Sequence, residues 1–482
     1  MSADGENGTI RTRIPARLDR LPWSRFHWTV IIGLGTVWIL DGLEVTIVSS
    51  ISGRLGEKGA GIGISAAHVT GWGASLYVAG ACLGALVFGQ LTDRYGRKKL
   101  FMVTLGVYLA ATVLTAFSFA TWWFFLCRFL TGFGIGGEYS AINSAIDELI
   151  PSEHRGRVDV AINGSYWGGA SVGALLAVVA LNESIFAVNV GWRLCFGLGA
   201  VLGTVILLVR RNVPESPRWL FIHGRDREAE EIVADIEGQV QASTGRPLPE
   251  AEEEITVRQR RTVPLSMIVR SVVTLYPRRT ILGLALFIGQ AFLYNSILFG
   301  LGDLLGTYFH VSSGDVPYYV AIFGVGNLLG PLSLGRLFDT VGRKPMIAGA
   351  YLLSGVLLVV TALLFRGHDL TAASMTGALT VVFFFASPGV SGAYLTVSEV
   401  FPMETRAMCI AVFYAVGTGI GGVAGPALFG ALLDTGARGS VFAGYLFGAL
   451  LMVIAAIVAW RYAVAAERKS LESVARPLAT ME

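Results

Sequence analysis

Two carboxylates, Asp41 and Glu44, stand inside a stretch of sequence that is otherwise apolar from Trp28 to Ser50. Because they are three residues apart, a helix would carry both within about 60° on one face. If that helix crosses a bilayer, an ionised acid at its centre costs roughly 2.5–3.5 kcal/mol. Acids in membrane helices commonly move protons or ions, so these two residues are the first candidates for function.

Arg128 is a cation in a second apolar stretch, residues 122–149, and could compensate one of these acids. The first stretch runs outward and this one returns inward, which puts Glu44 and Arg128 each about six residues, roughly 9 Å, below the outer surface. They can therefore meet at one depth, whereas Glu138 lies roughly 15 Å deeper and cannot share Arg128. The pair would serve proton coupling, which we favour, or be a permanent structural ion pair.

Asp41 and Glu138 complete the candidate proton-coupling set of Glu44, Asp41, Arg128 and Glu138. Asp41 could relay protons, hydrogen-bond a substrate or have a structural role. Glu138 could take part in coupling or only bond backbone at a tight helix crossing. An arginine favours the charged form of a neighbouring carboxylate and burial disfavours it, so an acid balanced between the two effects can bind and release a proton.

The composition indicates a membrane protein. Of 482 residues, 53% are hydrophobic and 15% are charged, with a mean hydropathy of +0.61, whereas soluble domains carry about 25% charged residues. The net charge of +3 comes without the basic cluster of a nucleic-acid-binding protein. There is no nucleophile–base pair or nucleotide loop, and the four cysteines lack metal-ligand spacing. We therefore expect no enzyme activity and no cofactor, metal or nucleic-acid partner.

Twelve apolar stretches are long enough to cross a bilayer, which takes about 20 residues. They lie at roughly 28–50, 68–91, 99–119, 122–149, 158–181, 191–211, 279–302, 315–338, 345–366, 371–397, 407–432 and 440–463. Arg and Lys are concentrated in both terminal segments and in the connections after the second, fourth and eighth stretches, with exceptions at Arg54, Lys58, Arg193, Arg366 and Arg438. Because positive charge is retained on the cytoplasmic side, both termini are expected there.

The long hydrophilic connection at about 210–278 is also expected on the cytoplasmic side. Within it, GRDREAEEIVADIE (Gly224–Glu237) predicts a short amphipathic helix with Ile232, Val233 and Ile236 on one face. A solvated linker is the alternative.

Two motifs occur twice at nearly the same offset. GQLTDRYGRKKL (Gly89–Leu100) returns as GRLFDTVGRKPM (Gly335–Met346), and ELIPSEHR (Glu148–Arg155) returns as EVFPMETR (Glu399–Arg406), at offsets of 246 and 251 residues. One six-helix unit therefore occurs twice in the same orientation, a parallel repeat about an axis along the membrane normal. The predicted organisation is a cytoplasmic N-terminal segment 1–27, a six-helix bundle 28–211, a cytoplasmic linker with short helices 212–278, a second bundle 279–463 and a cytoplasmic tail 464–482.

These motifs resemble the major facilitator superfamily over nearly the whole chain. Its signature G-x-L-x-D-R-x-G-R-K-K is present at Gly89–Lys99, and PESPRWL (Pro214–Leu220) and RFLTGFGIGGE (Arg128–Glu138) are similar to the sugar-porter branch and its metabolite and organic-ion symporter relatives. DGLE in the first stretch resembles the D-G-x-D of aromatic-acid symporters. The resemblance implies an all-α fold of twelve transmembrane helices in two six-helix halves. It also places Glu44 at the sugar porters' proton-coupling Asp, with Arg128 as its partner.

The sequence departs from the sugar porters at positions that contact sugar. Their helix 7 usually carries paired Gln residues and a downstream Asn, but FIGQAFLYNSILF (residues 287–299) has the single Gln290. They also carry a Trp ahead of the S-E-x-F-P motif, and residues 383–402 have none. These differences put hexose as the substrate in doubt. The antiporter signature of helix 5, a G-P pair in a glycine-rich run, is missing from residues 163–177.

The repeated charged motifs resemble the superfamily's inner charge network, which holds the halves together when the cavity faces outward and breaks in the other state. The candidate members of this cytoplasmic gate are Asp93, Arg94, Arg97, Glu148, Arg155, Glu215, Arg218, Asp339, Arg343, Glu399 and Arg406. Because Thr340 replaces the equivalent of Arg94, we expect a weaker network in the second copy. Charges that only set topology are the alternative, but they do not explain acids at matched spacing.

Polar residues in otherwise apolar stretches are the substrate-binding candidates: Asn163, Tyr166, Trp167, Gln290, Tyr294, Asn295 and Asn327. Any one of them could equally be a helix–helix contact. As a set near the bilayer midplane they suit a small hydroxylated or amide-bearing solute.

The sequence thus predicts a secondary active transporter, a proton-coupled symporter that imports a small sugar- or polyol-like metabolite or an organic or aromatic acid by alternating access. We expect a monomer in the cell membrane, with the lipid bilayer, the proton and the small-molecule substrate as partners. One alternative is a proton-coupled exporter, against which the missing helix 5 signature argues. Another is a non-transporting sensor, which usually carries a longer tail than residues 464–482.

Overall fold

The computed structural model describes residues 6–65, 68–210, 214–251, 254–260, 270–312, 314–402 and 405–475. Within these residues, twelve helices follow the predicted order and begin and end close to the predicted bounds. They are α1 (Arg25–Leu55), α2 (Ala74–Tyr95), α3 (Arg97–Ala116), α4 (Thr121–Leu149), α5 (Arg155–Gly164 and Tyr166–Ala180), α6 (Val188–Arg210), α7 (Pro277–Phe309), α8 (Val316–Thr340), α9 (Arg343–Gly367), α10 (Ala372–Val400), α11 (Arg406–Thr418 and Ala424–Asp434) and α12 (Arg438–Tyr462). The fold is an all-α membrane bundle of two six-helix halves.

Ten of these helices are long and apolar enough to cross a membrane, counting only the described residues. The other two, α4 and α5, contain polar groups or a break within the span. α4 holds Arg128 and Glu138 in its interior. α5 is interrupted at Ser165, whose hydroxyl donates to the carbonyl oxygens of Ile162 (2.6 Å) and Gly35 (3.2 Å). Both exceptions therefore lie in the half that carries the predicted proton site.

Glycines let α1 approach α5, and α2 approach α4, at backbone distance. A Cβ atom at Gly42 of α1 would lie 1.8 Å from the carbonyl oxygen of Tyr166 in α5, and one at Gly136 of α4 would lie 1.9 Å from that of Ala81 in α2. Any side chain would clash at either position, so both contacts require glycine. This close packing brings the side chains of α2 and α4 to the acids of α1.

The first and last described segments, from Glu6 and up to Ala475, lie on one side of the bundle, which we call the terminal face, and the opposite side is the far face. On the terminal face a strand at Glu6–Thr12 pairs antiparallel with a strand at Ile255–Arg260. Short helices cover Ile14–Asp19, Pro217–Ile222 and Leu471–Val474. The sequence predicts short helices in the linker and no strand in either segment, because neither strand has an apolar alternation that would distinguish it from a charged loop.

The predicted amphipathic helix is present and longer than expected, at Asp226–Thr244. Its buried residues are Ala229, Val233, Ile236 and Val240. Ile232 is only half-buried, because consecutive helical residues point about 100° apart and Val233 defines the buried stripe. Ile232 nevertheless packs against the same hydrophobic core as Val233 and Ile236, so the three predicted residues share one face. Residues 211–213, 252–253 and 261–269 of the predicted linker lie outside the described part of the chain.

Candidate functional site

A cavity of about 130 Å³ lies between the two halves, where α1, α2, α4 and α5 meet α7, α10 and α11. It is small beside the roughly 300–1,000 Å³ of sites for drug-sized ligands, so it suits a small solute. Its lining includes Trp38, Asp41, Tyr77, Tyr139, Asn163, Tyr166 and Trp167 from the first half, and Gln290, Tyr294, Asn295, Ser387, Ser391, Tyr394, Tyr414 and Thr418 from the second. Both halves thus supply aromatic rings and hydrogen-bonding groups.

Six of the seven predicted substrate residues line this cavity, namely Asn163, Tyr166, Trp167, Gln290, Tyr294 and Asn295. Asn327 is separate from them. It is fully buried in α8, where its side-chain amide donates to the carbonyl oxygen of Phe323 at 2.9 Å. This bond lies within one helix, so the structure separates Asn327 from the other six residues.

Two of the cavity amides are partly engaged by protein groups. The side-chain nitrogen of Asn163 donates to Asn143 Oδ1 (3.0 Å) and to the carbonyl oxygen of Asp159 (2.9 Å), and that of Asn295 donates to the carbonyl oxygen of Ala291 (2.8 Å). Among the described residues, the amide oxygen of Asn163 has no hydrogen-bond donor. It is therefore the atom of that side chain that can accept a bond from a solute.

The predicted ion pair between α1 and α4 is present. Arg128 Nη1 lies 2.5 Å from Glu44 Oε1, and both side chains are 2% exposed. Thr112 of α3 donates its hydroxyl to the other carboxylate oxygen of Glu44 at 3.1 Å. Two buried charges are tolerated where they are paired and hydrogen-bonded, and this geometry meets that condition. Of the described residues, those that line the cavity do not include Glu44, so a solute there does not touch it directly.

Asp41 faces the cavity and is held by two tyrosines. Tyr77 of α2 donates its hydroxyl to Asp41 Oδ1 at 2.5 Å, and Tyr139 of α4 donates to Oδ2. Tyr139 is itself fixed by stacking on Trp38, with ring centroids 4.6 Å apart and ring planes inclined by 11°. Hydrogen bonds to a charged group are roughly twice as strong as neutral ones. The Asp41 carboxylate is therefore held in one orientation at the cavity wall.

Tyr77 connects the two acids. Its hydroxyl bonds Asp41, and Arg128 Cζ lies 4.8 Å from the centroid of its ring, within the range of about 6 Å for cation–π attraction. The series Asp41, Tyr77, Arg128 and Glu44, which we call the acid series, therefore runs unbroken from the cavity wall to the ion pair. Sequence reasoning missed Tyr77 and Tyr139. The available signal was that each lies in a glycine-rich apolar run, GWGASLYVAG and GFGIGGEYS.

Glu138 lies on a different side of α4. It is buried against α3, where Thr104 Oγ1 is 3.4 Å from Glu138 Oε1. The next residue, Tyr139, faces the cavity instead. The structure therefore separates Glu138 from the acid series and joins it to the packing of α3 on α4.

On the terminal face, the first copy of the repeated motifs forms a buried cluster. Arg97 Nη2 lies 2.9 Å from Glu148 Oε1, and the backbone N–H of Arg97 donates to Glu215 Oε1 at 2.9 Å. Arg218 Nη1 donates to the carbonyl oxygen of Glu148 at 2.7 Å. Burial raises the pKa of the Glu215 carboxyl above its usual range. The segment after α6 is thereby bound to the start of α3 and the end of α4.

The second copy repeats the pairing. Arg343 Nη2 lies 2.8 Å from Glu399 Oε1, and Nη1 lies 2.7 Å from Asp339 Oδ1. All three side chains are nearly fully buried. The arginine at the start of α9 therefore binds the end of α10 as the arginine at the start of α3 binds the end of α4.

Two polar contacts join the halves on the terminal face. Asp339 of α8 accepts hydrogen bonds from the backbone N–H groups of Gly156 (3.1 Å) and Arg157 (2.8 Å) in the first turn of α5, where the helix dipole also favours an anion. Arg406 Nη1 of α11 lies 3.8 Å from Glu148 Oε1 of α4. Separating the halves on this side would break both contacts.

Arg155 and Arg218 bind the terminal segments, which the sequence analysis did not predict. Arg155 Nη2 lies 3.2 Å from Asp19 Oδ1, and Arg218 Nη2 lies 3.6 Å from Asp19 Oδ2. Arg218 Nε lies 3.3 Å from Glu472 Oε1. Burial raises the pKa of Asp19, and its effect outweighs that of the two arginines. The N-terminal segment and the tail therefore share arginines with the predicted gate.

Arg94 is apart from this cluster. Its side chain is exposed, and its guanidinium carbon lies 5.2 Å from the ring centroid of the neighbouring Tyr95. The expectation that Thr340 weakens the second copy is not supported, because Arg343 binds two carboxylates without an equivalent of Arg94. The side chain of Asp93 lies outside the described part of the structure.

Among the described residues, no group of three or more His, Cys, Asp or Glu side chains is arranged to hold a metal ion. The four cysteines, Cys82, Cys127, Cys195 and Cys409, are all free thiols. The chemistry of the site therefore rests on the carboxylates, the arginine and the hydroxyl and amide groups described above.

Comparison with known proteins gives a family and a consistent set of relatives. The family model described as "Sugar (and other) transporter" matches residues 35–477. The niacin transporter NiaP of Acinetobacter baylyi is 31% identical over 85% of this chain and 88% of its own length, and a D-xylose transporter of Levilactobacillus brevis is 27% identical over 78% and 80%. Among solved structures, the proton:xylose symporter XylE of the major facilitator superfamily, bound to 6-bromo-6-deoxy-D-glucose, has a TM-score of 0.73 at 19% identity and covers 93% of this chain and 98% of XylE. That likeness shows a shared fold.

Proposed function

The chain belongs to the sugar (and other) transporter family, and we propose that it is a proton-coupled symporter that imports a small polar metabolite, with a planar aromatic acid as the leading class. It is a membrane transporter and not an enzyme. The observation that carries the coupling proposal is the acid series. Asp41 lines the cavity, and Tyr77 links it to the Arg128–Glu44 pair.

In the proposed cycle, Glu44 binds a proton while the cavity is open to the far face. Neutralising Glu44 removes the charge that holds Arg128, so the guanidinium shifts toward Tyr77 and Asp41. The cavity wall then has a new charge balance and binds the solute. After the halves rock and the terminal face opens, Arg128 returns to Glu44 and favours loss of the proton on that side. Proton and solute thus cross together.

The lining of the cavity supports a small planar solute. Trp38 and Tyr139 stack on one wall, and Trp167 and Tyr294 lie with centroids 5.6 Å apart on another. Among the described residues, none of those lining the cavity is Lys, Arg or His. A free anion would lack a cation there, so an acid enters with its proton. The relatives include proteins named for niacin and for D-xylose, and the aromatic walls favour the first class over the second.

We further propose that the terminal face is cytoplasmic, that the protein resides in the cell membrane and that it acts as a monomer. The orientation rests on the concentration of Arg and Lys in the connections of that face. The far face would then be the side from which proton and solute enter.

The proposal is tested by uptake into proteoliposomes under an imposed pH gradient, acid outside. The panel contains labelled niacin, D-xylose and a polyol. One pH unit supplies about 1.4 kcal/mol, enough for roughly tenfold accumulation of a neutral solute with one proton. We expect pH-driven accumulation of niacin, weaker uptake of the others and none after the gradient is collapsed with a protonophore.

Glu44→Gln is the matched test of coupling, because it mimics the protonated acid permanently. We expect solute exchange between the two sides to survive and accumulation to disappear. Glu57→Gln, a carboxylate in the loop after α1 that is 40% exposed, is the control and should accumulate like the wild type. If Glu44→Gln still concentrates solute, Glu44 is a structural member of the pair. If the wild type accumulates solute equally without a pH gradient, the symport proposal fails.

A further inference from the structure

An apolar groove runs along the outside of the bundle between α1, α5 and α8, which we call the lateral groove. Its volume is about 700 Å³, and its walls include Ile32, Ile39, Ile162 and Leu332. Ile32 is 54% exposed and Leu332 is 57% exposed. In a membrane bundle these faces meet lipid, so the groove is open to the bilayer along its length.

The groove ends in positive charge at the terminal face. Arg157 at the start of α5 and Arg336 near the end of α8 line its end, next to Trp23 and Trp28. A separate polar pocket of about 230 Å³ adjoins it and is lined by the same two arginines together with Glu153, His154, Asp339, Thr340 and Arg468. The two arginines therefore lie where the apolar lateral groove meets the polar pocket.

These two cations differ from the buried arginines of the terminal face in having no acidic partner in the described part of the chain. Arg155 and Arg343 are both ion-paired. Among the described residues, no carboxylate oxygen lies within 4 Å of a guanidinium nitrogen of Arg157 or of Arg336. Arg157 Cζ lies 5.5 Å from the ring of Trp23, and Asp339 is already bound by Arg343 and by backbone. Both guanidinium groups can therefore bind an anion from outside the chain.

We propose that the lateral groove binds one anionic phospholipid, with its phosphate between Arg157 and Arg336 and an acyl chain along the apolar walls. The ligand must be amphipathic, because one end of the site is apolar and the other is cationic. Basic pockets between membrane helices are the usual sites for anionic head groups, and tryptophans such as Trp23 and Trp28 sit at the head-group level. The bilayer supplies this ligand, so we commit to a lipid rather than to a soluble phosphate.

Because the site lies between the two halves, a bound lipid would affect how the halves are arranged. Arg157 belongs to the first half and Arg336 to the second, and the same two helices are joined by Asp339 and the first turn of α5. A phosphate that binds both arginines strengthens this contact. The bound lipid therefore favours the state in which the halves touch on the terminal face.

The test is native mass spectrometry of the full-length protein, delipidated in detergent and titrated with phosphatidylglycerol or phosphatidylcholine of the same chain length. We expect one phosphatidylglycerol to bind well ahead of phosphatidylcholine. The double variant Arg157→Gln/Arg336→Gln should weaken binding of phosphatidylglycerol roughly twenty-five-fold, about fivefold for each arginine, and leave binding of phosphatidylcholine unchanged. Arg461→Gln, an exposed arginine at the end of α12, is the matched control and should change neither.

A second variant fills the apolar part of the site. Gly35 lines the groove, and a Cβ there would meet Ile162 no closer than 3.7 Å, so the Cβ of Gly35→Leu fits and we expect the rest of its side chain to fill part of the groove. It should weaken binding of both lipids.

Each protein must elute as a single symmetric peak before titration. Equal binding of the two lipids by the wild type, or wild-type phosphatidylglycerol binding by the double variant, overturns the head-group assignment. Unchanged binding by Gly35→Leu overturns the assignment of the acyl chain to the groove.

Discussion

The two halves are alike at the terminal face and unlike in the interior. Arg97 pairs with Glu148 at 2.9 Å, and at the repeated positions Arg343 pairs with Glu399 at 2.8 Å. Inside the membrane, however, all members of the acid series belong to the first half. The facing stretches of the second half, residues 280–302 and 372–398, contain no Asp, Glu, Lys or Arg.

This difference separates two functions of the cavity, the hydrogen bonding of a solute and the change of charge that proton coupling requires. Gln290, Asn295, Ser387 and Ser391 offer hydrogen bonds from the second half but cannot change charge near neutral pH. The two carboxylates of the acid series, Asp41 and Glu44, both belong to α1. We infer that the repeated part of the structure serves opening and closing, which both halves must do alike, and that the unrepeated part serves proton coupling. Substitutions in the two parts should therefore impair transport in different ways.

The largest effect is expected at Arg128. Arg128→Ala removes the partner of a carboxylate that is 2% exposed, and breaking a buried pair in this way costs about 3–5 kcal/mol. We expect loss of all transport and a lower thermal midpoint in detergent. Glu44→Gln should retain solute exchange, because the amide oxygen of Gln can still accept a hydrogen bond from Arg128.

The double variant Glu44→Gln/Arg128→Gln separates stability from coupling. With both charges gone, the thermal midpoint should return most of the way to the wild-type value, whereas accumulation should stay absent. If the double variant is as unstable as Arg128→Ala, the instability comes from lost packing around the guanidinium and not from an unpaired Glu44.

The next effect is expected at the repeated arginines. Arg97→Ala and Arg343→Ala should each lower maximal transport rate at least about tenfold, as a loss of about 1.4 kcal/mol or more from one state would do. Their apparent affinities for solute should stay within a few-fold, because neither side chain lines the cavity. Arg94→Ala is the control, since that side chain is exposed on Tyr95. Uptake kinetics across a range of solute concentrations measure both quantities, and strongly unequal results for the two repeats would contradict the division proposed above.

The fold could be read from the sequence because its determinants are local or repeated. Apolar runs set the helices, and the two copies of each motif set the two halves. The Glu44–Arg128 contact could also be placed, since the depth of a residue in a straight helix follows from counting residues to its end. Asn327 shows the limit of that reasoning, because depth does not say whether a residue of α8 reaches the cavity.

Other parts of the site depend on contacts that no local pattern specifies. Tyr77 and Tyr139 reach Asp41 because glycines bring α2, α4 and α5 to backbone distance from their neighbours, and that approach is visible only in three dimensions. Asp19 lies more than one hundred residues from both of its arginines in sequence. A charged residue in a terminal segment gives no indication of such a partner.

A smaller and reciprocal effect is expected at Asp41. Because Asp41 lines the cavity and Glu44 does not, Asp41→Asn should raise the apparent KM by about three- to tenfold and preserve accumulation, the reverse of Glu44→Gln. Tyr139→Phe keeps the ring on Trp38 and removes one hydrogen bond to Asp41, so its defect should be similar in kind and milder. Accumulation ratios and KM from the same vesicles give the comparison. Loss of accumulation in Asp41→Asn would move the proton site to the cavity wall.

The smallest effect is expected at Asp19, a residue of the N-terminal segment that contacts Arg155 in the first copy of the repeated motif. The equivalent of Arg155 in the second copy, Arg406, contacts Glu148 across the halves, whereas Arg155 contacts Asp19 of the N-terminal segment. Burial raises the pKa of Asp19, so the docked segment binds the proton more tightly than the free segment does. Docking is therefore firmest at acid pH and weakens as the pH rises from about 3.9, the ordinary value for Asp, through the raised value.

Asp19→Asn removes the titrating group and keeps one oxygen that can accept a hydrogen bond from an arginine. We expect the pH dependence of docking to flatten, with transport changed less than about twofold, as for a surface contact of modest strength. Hydrogen exchange of residues 6–19, corrected for the intrinsic effect of pH on the exchange rate, measures docking between about pH 4 and about pH 7. Arg17→Gln is the control, because it weakens the same segment through its 2.6 Å contact with Glu237 without removing Asp19. One result would contradict this role of Asp19: the wild type and Asp19→Asn show the same pH dependence of exchange, and Arg17→Gln exchanges faster at every pH. The segment would then be held by its surface ion pairs, and Arg155 would not need Asp19 to hold its place in the first half.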